Sequence, residues 1–270
     1  MPLRPFALLC AAVISGCTST VDQDEGDLPT RGSLHGPQVT ITYNPVTDIF
    51  VVEPVGGERW RLVSNALYDA GSFDLSLSED ASDGIMAYAT RDGASVAVIQ
   101  LRANDPDAII IAFARPENTT IPTSGTVIYQ GDYYGLYYID GELAGPVTGD
   151  VSLDVSFSAN STIAGEITNR GLYKFNLTLK YADLADVTLE LNSLGSDGRV
   201  ALDDVTPPTV TAANSTILID TFQLVYGRYD GMVAGPDGAH FVGGVEMSSI
   251  ETSGGSATAS SEFGAFVTSR

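Results

Sequence analysis

The chain has 270 residues, of which 34 are acidic and 13 are basic, and its formal net charge at pH 7 is −21. Such acidity disfavours nucleic acid as a partner, and the two lysines are too few to form a polybasic patch for anionic lipid. The cysteines Cys10 and Cys17 and the histidines His35 and His240 are too few for a cysteine- or histidine-based metal centre, so we expect neither a metal nor a cofactor.

Residues 1–16 have the order of a bacterial lipoprotein signal peptide. A basic residue, Arg4, precedes an apolar stretch over 6–13, and small residues lead to Cys17. We expect cleavage before Cys17 and a lipid anchor on its thiol, with an ordinary signal and an incidental cysteine as the alternative. Thr18 is not acidic, which by known sorting rules favours the outer membrane over the inner one. The sequence leaves open whether the protein faces the cell surface or the periplasm.

Residues 17–36 are rich in acidic and small side chains and show no hydrophobic period. We expect this segment to be a disordered, flexible tether between the anchor and the folded part. His35 lies within it, and we expect a solvated linker residue there, not a ligand.

Beyond residue 36, apolar and polar residues alternate with the period of half-buried antiparallel strands, and no segment has the pattern of an amphipathic helix. Residues 37–120 contain candidate strands at Val39–Tyr43, Ile49–Val52, Ile85–Thr90, Ser95–Arg102 and Ile109–Ala114. Residues 121–270 contain candidate strands at Val151–Phe157, Tyr173–Tyr181, Val187–Leu191, Ile217–Tyr226, Tyr229–Val233, Phe241–Met247 and Phe263–Val267.

Short strands separated by turn residues predict an all-β fold. We expect a closed antiparallel barrel of about eight strands over 121–270, preceded by a smaller β-rich subdomain over 37–120. A membrane-spanning barrel would show the same alternation with its apolar face outward. A lipidated start makes a spanning barrel redundant, and Lys174 and Lys180 bracket a strand without an aromatic girdle, so we expect the apolar face to point inward. Glycines inside the strands, such as Gly243, indicate corners or close approach of another backbone.

Several sequence pieces from about residue 125 onward resemble the C-terminal β-barrel of the transferrin-binding protein B family. The pieces are Gly125-x-x-x-Tyr129-x-Gly131, Ser161-Thr-Ile-Ala-Gly165-Glu-Ile-Thr-Asn169, Gly227-Arg-Tyr-Asp-Gly231-Met-Val-Ala-Gly235-Pro236, Gly243-Gly244 and Phe263-Gly-Ala-Phe-Val-Thr-Ser-Arg270. Their order, their spacing and the signal ahead of them make the combination fairly specific. Together they cover a little over half of the chain.

The resembled family comprises Slam-exported surface lipoproteins, among them hemophilin-like haem binders and factor H binding proteins. In this family a smaller handle domain precedes each barrel, which by order alone would correspond to residues 37–120. The resemblance implies a surface lipoprotein that captures an iron source, such as a metal-carrier protein or haem, for a TonB-dependent outer-membrane transporter. This chain would be a single lobe, whereas the family's transferrin receptor has two.

Five tyrosines, beginning with Tyr129, crowd the first predicted barrel strands. Because neighbouring residues of a strand face opposite sides, Tyr133 and Tyr137 must point away from Tyr134 and Tyr138. One of these two pairs therefore lies outside the barrel. It packs on the preceding subdomain or forms a partner-binding patch, since aromatic residues are enriched where partners dock. All four tyrosines are candidate ligand- or partner-binding residues.

His240 is the remaining candidate, because it is the only histidine beyond the predicted tether. It falls on the polar phase of its strand, opposite to Phe241 and Met247. As a haem ligand it would have to project toward another domain; the simpler interpretation is a solvated or turn-adjacent histidine.

We find little support for catalysis, since the chain has no G-x-S-x-G elbow and no cysteine nucleophile beyond Cys17. We therefore expect no catalytic residues and a protein that is not an enzyme. Two classes of function remain. One is the iron-capturing lipoprotein described above, which would contact the membrane only through its lipid anchor. The other is a structural, adhesion or shielding lipoprotein that binds a protein partner without transport.

Overall fold

The computed structural model describes residues 31–35, 39–44, 49–57, 59–78, 84–102, 108–174, 179–200, 210–212, 223–253 and 256–270. The predicted signal peptide and Cys17 lie outside these ranges. Strands dominate the described residues, which confirms the all-β prediction. No helix within those ranges has both the length and the apolar character needed to cross a membrane.

Eight antiparallel strands form the first sheet. They are β1 (Arg31–His35), β2 (Val39–Asn44), β3 (Ile49–Pro54), β4 (Trp60–Ala70), β5 (Phe73–Ser78), β6 (Ile85–Arg91), β7 (Ala94–Gln100) and β8 (Ile109–Ala114). Strands β2 to β8 follow one another as a meander, and β1 pairs with β8 at the far edge.

Nine antiparallel strands form the second sheet. They are β9 (Gly125–Ile139), β10 (Glu142–Phe157), β11 (Thr162–Tyr173), β12 (Lys180–Asp183), β13 (Val187–Ser193), β14 (Val210–Ala212), β15 (Gln223–Ala234), β16 (His240–Ser253) and β17 (Ser256–Ser269). The order across the sheet is β14-β13-β11-β10-β9-β17-β16-β15, and β12 pairs only with β11 among the described strands. A 3-10 helix, Pro236–Gly238, connects β15 to β16.

Alternation along the strands gives the second sheet its inner face. In β10, Val151, Leu153 and Val155 are buried whereas Asp154 is exposed. Inward residues of this kind from β9, β10, β11, β13, β15, β16 and β17 form one cluster, which we call the inner core. Gly243 confirms the expected close approach of two backbones, because a Cβ at this position would overlap the carbonyl oxygen of Asp230 on β15.

The second sheet curves toward closure, but the strand ladder does not close in the described part of the chain, so the predicted closed barrel is not confirmed. The gap lies between β14 and β15. The segment after β13 bridges this gap through two backbone hydrogen bonds to β15. The backbone nitrogen of Val200 donates to the oxygen of Gly231, and that of Val233 donates to the oxygen of Gly198. We call this segment, residues 194–200, the seam.

The first sheet folds over itself, so that β2, β3 and β4 cover one face of β6, β7 and β8. Val52 and Leu62 pack there with Ile99 and Ile110. The opposite face of β5 to β8 packs against the second sheet. Its apolar residues share one cluster with the outward side chains of β9, β15, β16 and β17, which we call the shared core.

Two predictions about single segments are wrong. Arg31–His35 forms β1 and pairs with β8, so the folded part begins before residue 36 and His35 lies in a strand, not in a linker. Tyr173–Tyr181 is not one strand, because the chain reverses and Tyr173 pairs with Lys180. The apolar alternation runs through this reversal without a glycine or proline to mark it. Most of the predicted strand Ile217–Tyr226 lies outside the described residues.

Candidate functional site

Tyr133 points into the second sheet, where two glycines make room for its ring. A Cβ at Gly264 of β17 would overlap the ring of Tyr133, and a Cβ at Gly135 would lie 2.8 Å from the Tyr133 hydroxyl oxygen. The hydroxyl donates a hydrogen bond to Oε1 of Glu262 at 2.6 Å. Tyr137 lies on the same face and is also buried. These two tyrosines therefore belong to the inner core.

Glu262 and Arg170 form an ion pair beside Tyr133. Their side chains are only 2% and 7% exposed, and a guanidinium nitrogen of Arg170 donates to Oε2 of Glu262. Arg170 also donates to the backbone oxygen of Ala185. Burial, and secondly the neighbouring carboxylate of Glu262, raises the pKa of Tyr133 well above its ordinary value. The hydroxyl therefore keeps its proton and remains a donor to Glu262.

Tyr134 and Tyr138 point the other way, into the shared core. The ring of Tyr134 lies 5.8 Å from that of Phe73 on the first sheet, and Tyr138 packs edge-on against Phe263. Both rings are buried, at 1% and 0% exposure. Packing between the sheets, the first of the two interpretations considered for the outward pair, therefore describes their position. A binding role for any of the four tyrosines stays a prediction, and none of them presents its ring to solvent.

His240 is adjacent to a turn, as expected, because it follows the 3-10 helix Pro236–Gly238 and its cap Ala239, but it is not solvated. The residue is 6% exposed, and its Nε2 lies 2.9 Å from Oδ2 of Asp92 in the turn between β6 and β7. Its Nδ1 has no hydrogen-bond partner among the described residues. As its position in the alternation of β16 predicts, the side chain points away from the inner core and toward the first sheet. Its part in ligand binding remains a prediction.

A polar cluster beside His240 connects the two sheets near the ends of interior strands, and the sequence did not reveal it. Asp132 of β9 accepts a hydrogen bond from the backbone nitrogen of Ser72 at 3.0 Å. Arg91 of β6 donates to the hydroxyl of Ser269 at 2.6 Å, and its Nη2 lies 3.6 Å from Asp132. The only available signal was Asp132 itself, an acidic residue in an outward position on the tyrosine-rich strand β9.

The seam is held by a second charged pair. Nη2 of Arg199 lies 2.5 Å from Oδ2 of Asp230, a fully buried side chain on the outward face of β15. Burial raises the pKa of Asp230, and the hydrogen bond and charge of Arg199 oppose that rise. The same guanidinium lies 5.9 Å from the ring centre of Phe113 on β8. Arg199 thus links the seam to both sheets.

The hairpin between β11 and β12 carries exposed apolar side chains. Leu179 is 50% exposed and Tyr181 is 48% exposed. Nζ of Lys174 lies 5.7 Å from the ring centre of Tyr181, and Lys180 forms an ion pair with Asp183. We call Tyr173, Lys174 and residues 179–181 the lysine hairpin.

Groups of three or more histidine, cysteine, aspartate or glutamate side chains that could hold a metal ion do not occur among the described residues. The candidate residues also do not form one site. Tyr133 and Tyr137 lie in the inner core, Tyr134 and Tyr138 in the shared core, and His240 lies at the junction of the two sheets.

No protein-family model matches the chain, and no curated protein matches it. Among solved structures, it is similar to a transferrin-binding protein B variant from Haemophilus parasuis, with 11% identity, 89% of this chain and 44% of that chain covered, and a TM-score of 0.39. Transferrin-binding protein B from Neisseria meningitidis gives 11% identity, 88% and 42% coverage, and a TM-score of 0.37. A protein of unknown function from Nostoc punctiforme gives 11% identity, 89% and 92% coverage, and a TM-score of 0.25. The chain spans less than half the length of the first two, and TM-scores this low do not establish a shared fold.

Proposed function

We propose that this protein is a lipid-anchored, non-enzymatic binding protein of the outer membrane that captures a protein partner on its outer surface. The partner class that the sequence resemblance supports is a soluble iron-carrier protein, to be delivered to a TonB-dependent transporter. The lipid anchor is proposed at Cys17, on the signal ahead of it.

The observation that supports this proposal is that side chains fill the space on the inner face of the second sheet. Large buried side chains occupy its inner face, among them Tyr129, Tyr133, Phe241 and Phe266. Stacked rings such as Phe241 and Phe266, with centroids 6.3 Å apart, take the place that a ligand would need inside. Binding at the outer surface suits a macromolecule better than an enclosed small ligand. We therefore propose a carrier protein, in preference to free haem, as the ligand.

The test uses the full-length lipidated protein and two kinds of probe. Purified serum transferrin and haemoglobin are passed over immobilised protein, and haemin is titrated while the Soret band is followed. We expect saturable binding of a carrier protein and no Soret shift with haemin. A Soret shift without carrier binding would favour a haem-binding lipoprotein. Absence of both, and of any transporter in a pull-down from cells, would favour the structural or adhesion alternative.

The anchor and its location are tested separately. Metabolic labelling with palmitate is expected to mark the wild type and not Cys17→Ser, because the thiol is the proposed acylation site. Protease treatment of intact cells then distinguishes the cell surface from the periplasm. A labelled Cys17→Ser variant, or an unlabelled wild type, would overturn the anchor.

A further inference from the structure

The lysine hairpin begins where β11 continues beyond its pairing with β13. β11 pairs with β13 from Thr162 to Ile167, and its last residues pair with β12 instead. The backbone nitrogen of Lys174 donates to the carbonyl oxygen of Leu179 at 2.9 Å, which closes the base of the reversal. The hairpin is therefore a defined feature at one end of the sheet, with β12 as its edge.

The exposed surface of this hairpin has the composition of a contact site. Leu179 and Tyr181 are about half exposed, and each presents apolar area to solvent. The side chains of Lys174 and Lys180 flank them and are exposed as well. An aromatic and an aliphatic side chain beside exposed cations can bury apolar area and align charges in a single contact.

The hairpin carries basic side chains on an acidic molecule. Lys174 and Lys180 are the two lysines of a chain with 34 acidic and 13 basic residues, and Lys180 is paired with Asp183. The net charge of the molecule repels an acidic partner, whereas these exposed lysines attract it, so charge complementarity favours contact at this hairpin. The fitting partner surface has an apolar centre bordered by carboxylates.

The hairpin also lies away from Arg31, the first described residue of the chain. Arg31 pairs with Ala114 of β8, which in turn pairs with Ser95, just after the β6–β7 turn. Asp92 of that turn contacts His240, at the first residue of β16.

The pairing partners along β9 show toward which end of the second sheet each feature lies. Its residue Gln130 pairs with Ser269, which pairs with His240, whereas Ile139 pairs with Ser260 near the β9–β10 turn. The lysine hairpin lies toward the Ile139 end, because Leu172 of β11 pairs with Val147 of β10, Val147 pairs with Gly135 of β9, and Tyr173 and Lys174 continue in the direction of Ile139. A lipid anchor upstream of Arg31 therefore joins the molecule at the end away from the hairpin, which favours a soluble occupant over the membrane.

We propose that the lysine hairpin is the docking surface for the soluble protein partner, and that Leu179 and Tyr181 contact an apolar patch of that partner while Lys174 and Lys180 contact the carboxylates around it. This inference rests on the proposed capture function and names its site. The carboxylate of Asp183, which pairs with Lys180, is the group that a partner carboxylate would displace.

The experiment compares variants of the full-length protein for binding to serum transferrin and haemoglobin at low and high salt. Lys174→Glu combined with Lys180→Glu is expected to weaken binding at least about tenfold and to remove its salt dependence, and Leu179→Ser combined with Tyr181→Ser to weaken it at both salt concentrations. The matched control is Arg59→Glu combined with Arg102→Glu, the same charge change at two exposed arginines outside the hairpin. Circular dichroism checks that each variant is folded.

Each outcome separates the two proposals. Carrier binding that all hairpin variants retain overturns the docking surface and leaves the capture function standing. Binding of neither carrier by the wild type overturns the capture function, and this inference falls with it. Flotation with phosphatidylglycerol vesicles provides the remaining arm: lipid binding that requires Lys174 and Lys180 would identify a membrane contact and overturn a protein occupant.

Discussion

Glu262 and Arg170 form the most enclosed charged pair of the described residues, and removing one partner should be costly. Glu262→Gln leaves the Arg170 guanidinium buried without its counter-charge and weakens the acceptor of the Tyr133 hydroxyl. Breaking a buried pair in this way destabilises by about 3–5 kcal/mol. Urea unfolding followed by circular dichroism measures the loss.

The control for this prediction is Glu246→Gln. Glu246 pairs with Arg228 across β15 and β16, but the two side chains are 28% and 41% exposed. Solvent screens such a pair, so the expected loss is below about 1 kcal/mol. Equal losses of unfolding free energy in the two variants would show that burial does not make the Glu262–Arg170 pair more costly to break than an exposed pair.

Tyr129 makes the protein sensitive to alkali. Burial raises its pKa to about 12, and its hydroxyl donates to the backbone oxygen of Gly238 at 2.7 Å. The folded state holds this proton more tightly than the unfolded chain, whose pKa is near 10. The stabilisation is complete below about pH 10 and is lost as pH rises toward about 12.

We therefore expect tyrosinate absorbance at 295 nm to rise in the same step in which the far-UV circular dichroism signal is lost. Burial raises the pKa of Tyr134 and Tyr229 as well, which adds to the step. Tyr181→Phe, at the exposed hairpin, is the reference and should leave the midpoint of this step unchanged. Complete ionisation of the tyrosines while the dichroism signal persists would contradict the assignment.

At the scale of the element, Arg199 couples the seam to pH. Its guanidinium opposes the rise that burial causes in the pKa of Asp230, so Arg199→Ala should raise that pKa further. A carboxyl with a raised folded pKa contributes stability that is fully present below its unfolded pKa and is lost as pH rises through the folded pKa. The variant is thus expected to be most destabilised near neutral pH and to approach the wild type as pH falls toward about 4.

Urea unfolding at a series of pH values measures this convergence. Arg59→Ala, at the exposed pair with Glu53, should differ from the wild type by a small amount that changes little with pH. If the Arg199→Ala and wild-type stability curves run parallel instead, Asp230 is not the group that responds.

Strands were predictable from the sequence where one face of the strand is buried and the other faces solvent. β3 and residues 151–157 of β10 follow this alternation closely, whereas β8 is an apolar run that is buried on both faces. β4 was missed because Trp60–Ala70 carries no regular alternation and contains a register shift between Ser64 and Asp69. β5 was missed although Phe73, Leu75 and Leu77 alternate with polar residues. The Tyr173–Tyr181 reversal was missed because its turn lacks glycine and proline.

The candidate site was less predictable than the strands. Alternation correctly separated Tyr133 and Tyr137 from Tyr134 and Tyr138, because strand geometry fixes which neighbours share a face. It could not reveal that both faces are covered. The partners of Glu262 and Asp230 lie 92 and 31 residues away in sequence, and such pairs depend on sheet order, which a local pattern does not encode.

At the scale of the whole molecule, the shared core decides whether residues 37–120 are an independent subdomain. Phe73 and Ile111 from the first sheet and Tyr134 and Val267 from the second sheet are all members of this cluster. Exposing the cluster would place a large apolar area of both sheets in water. We therefore expect the two sheets to unfold in one cooperative transition, even though each has a core of its own.

Tyr134→Ala tests this cooperativity at the centre of the shared core. Removing the buried ring is expected to cost about 3–5 kcal/mol, the usual loss for truncating a buried aromatic side chain. The transition measured by calorimetry should move to lower temperature and stay single, because both sheets lose the same contact. Ile128→Ala, a half-exposed residue of the same strand, should leave the transition nearly in place. Two resolved transitions in the wild type would show that the sheets are separate folding units, and the shared core would then be a docking interface between them.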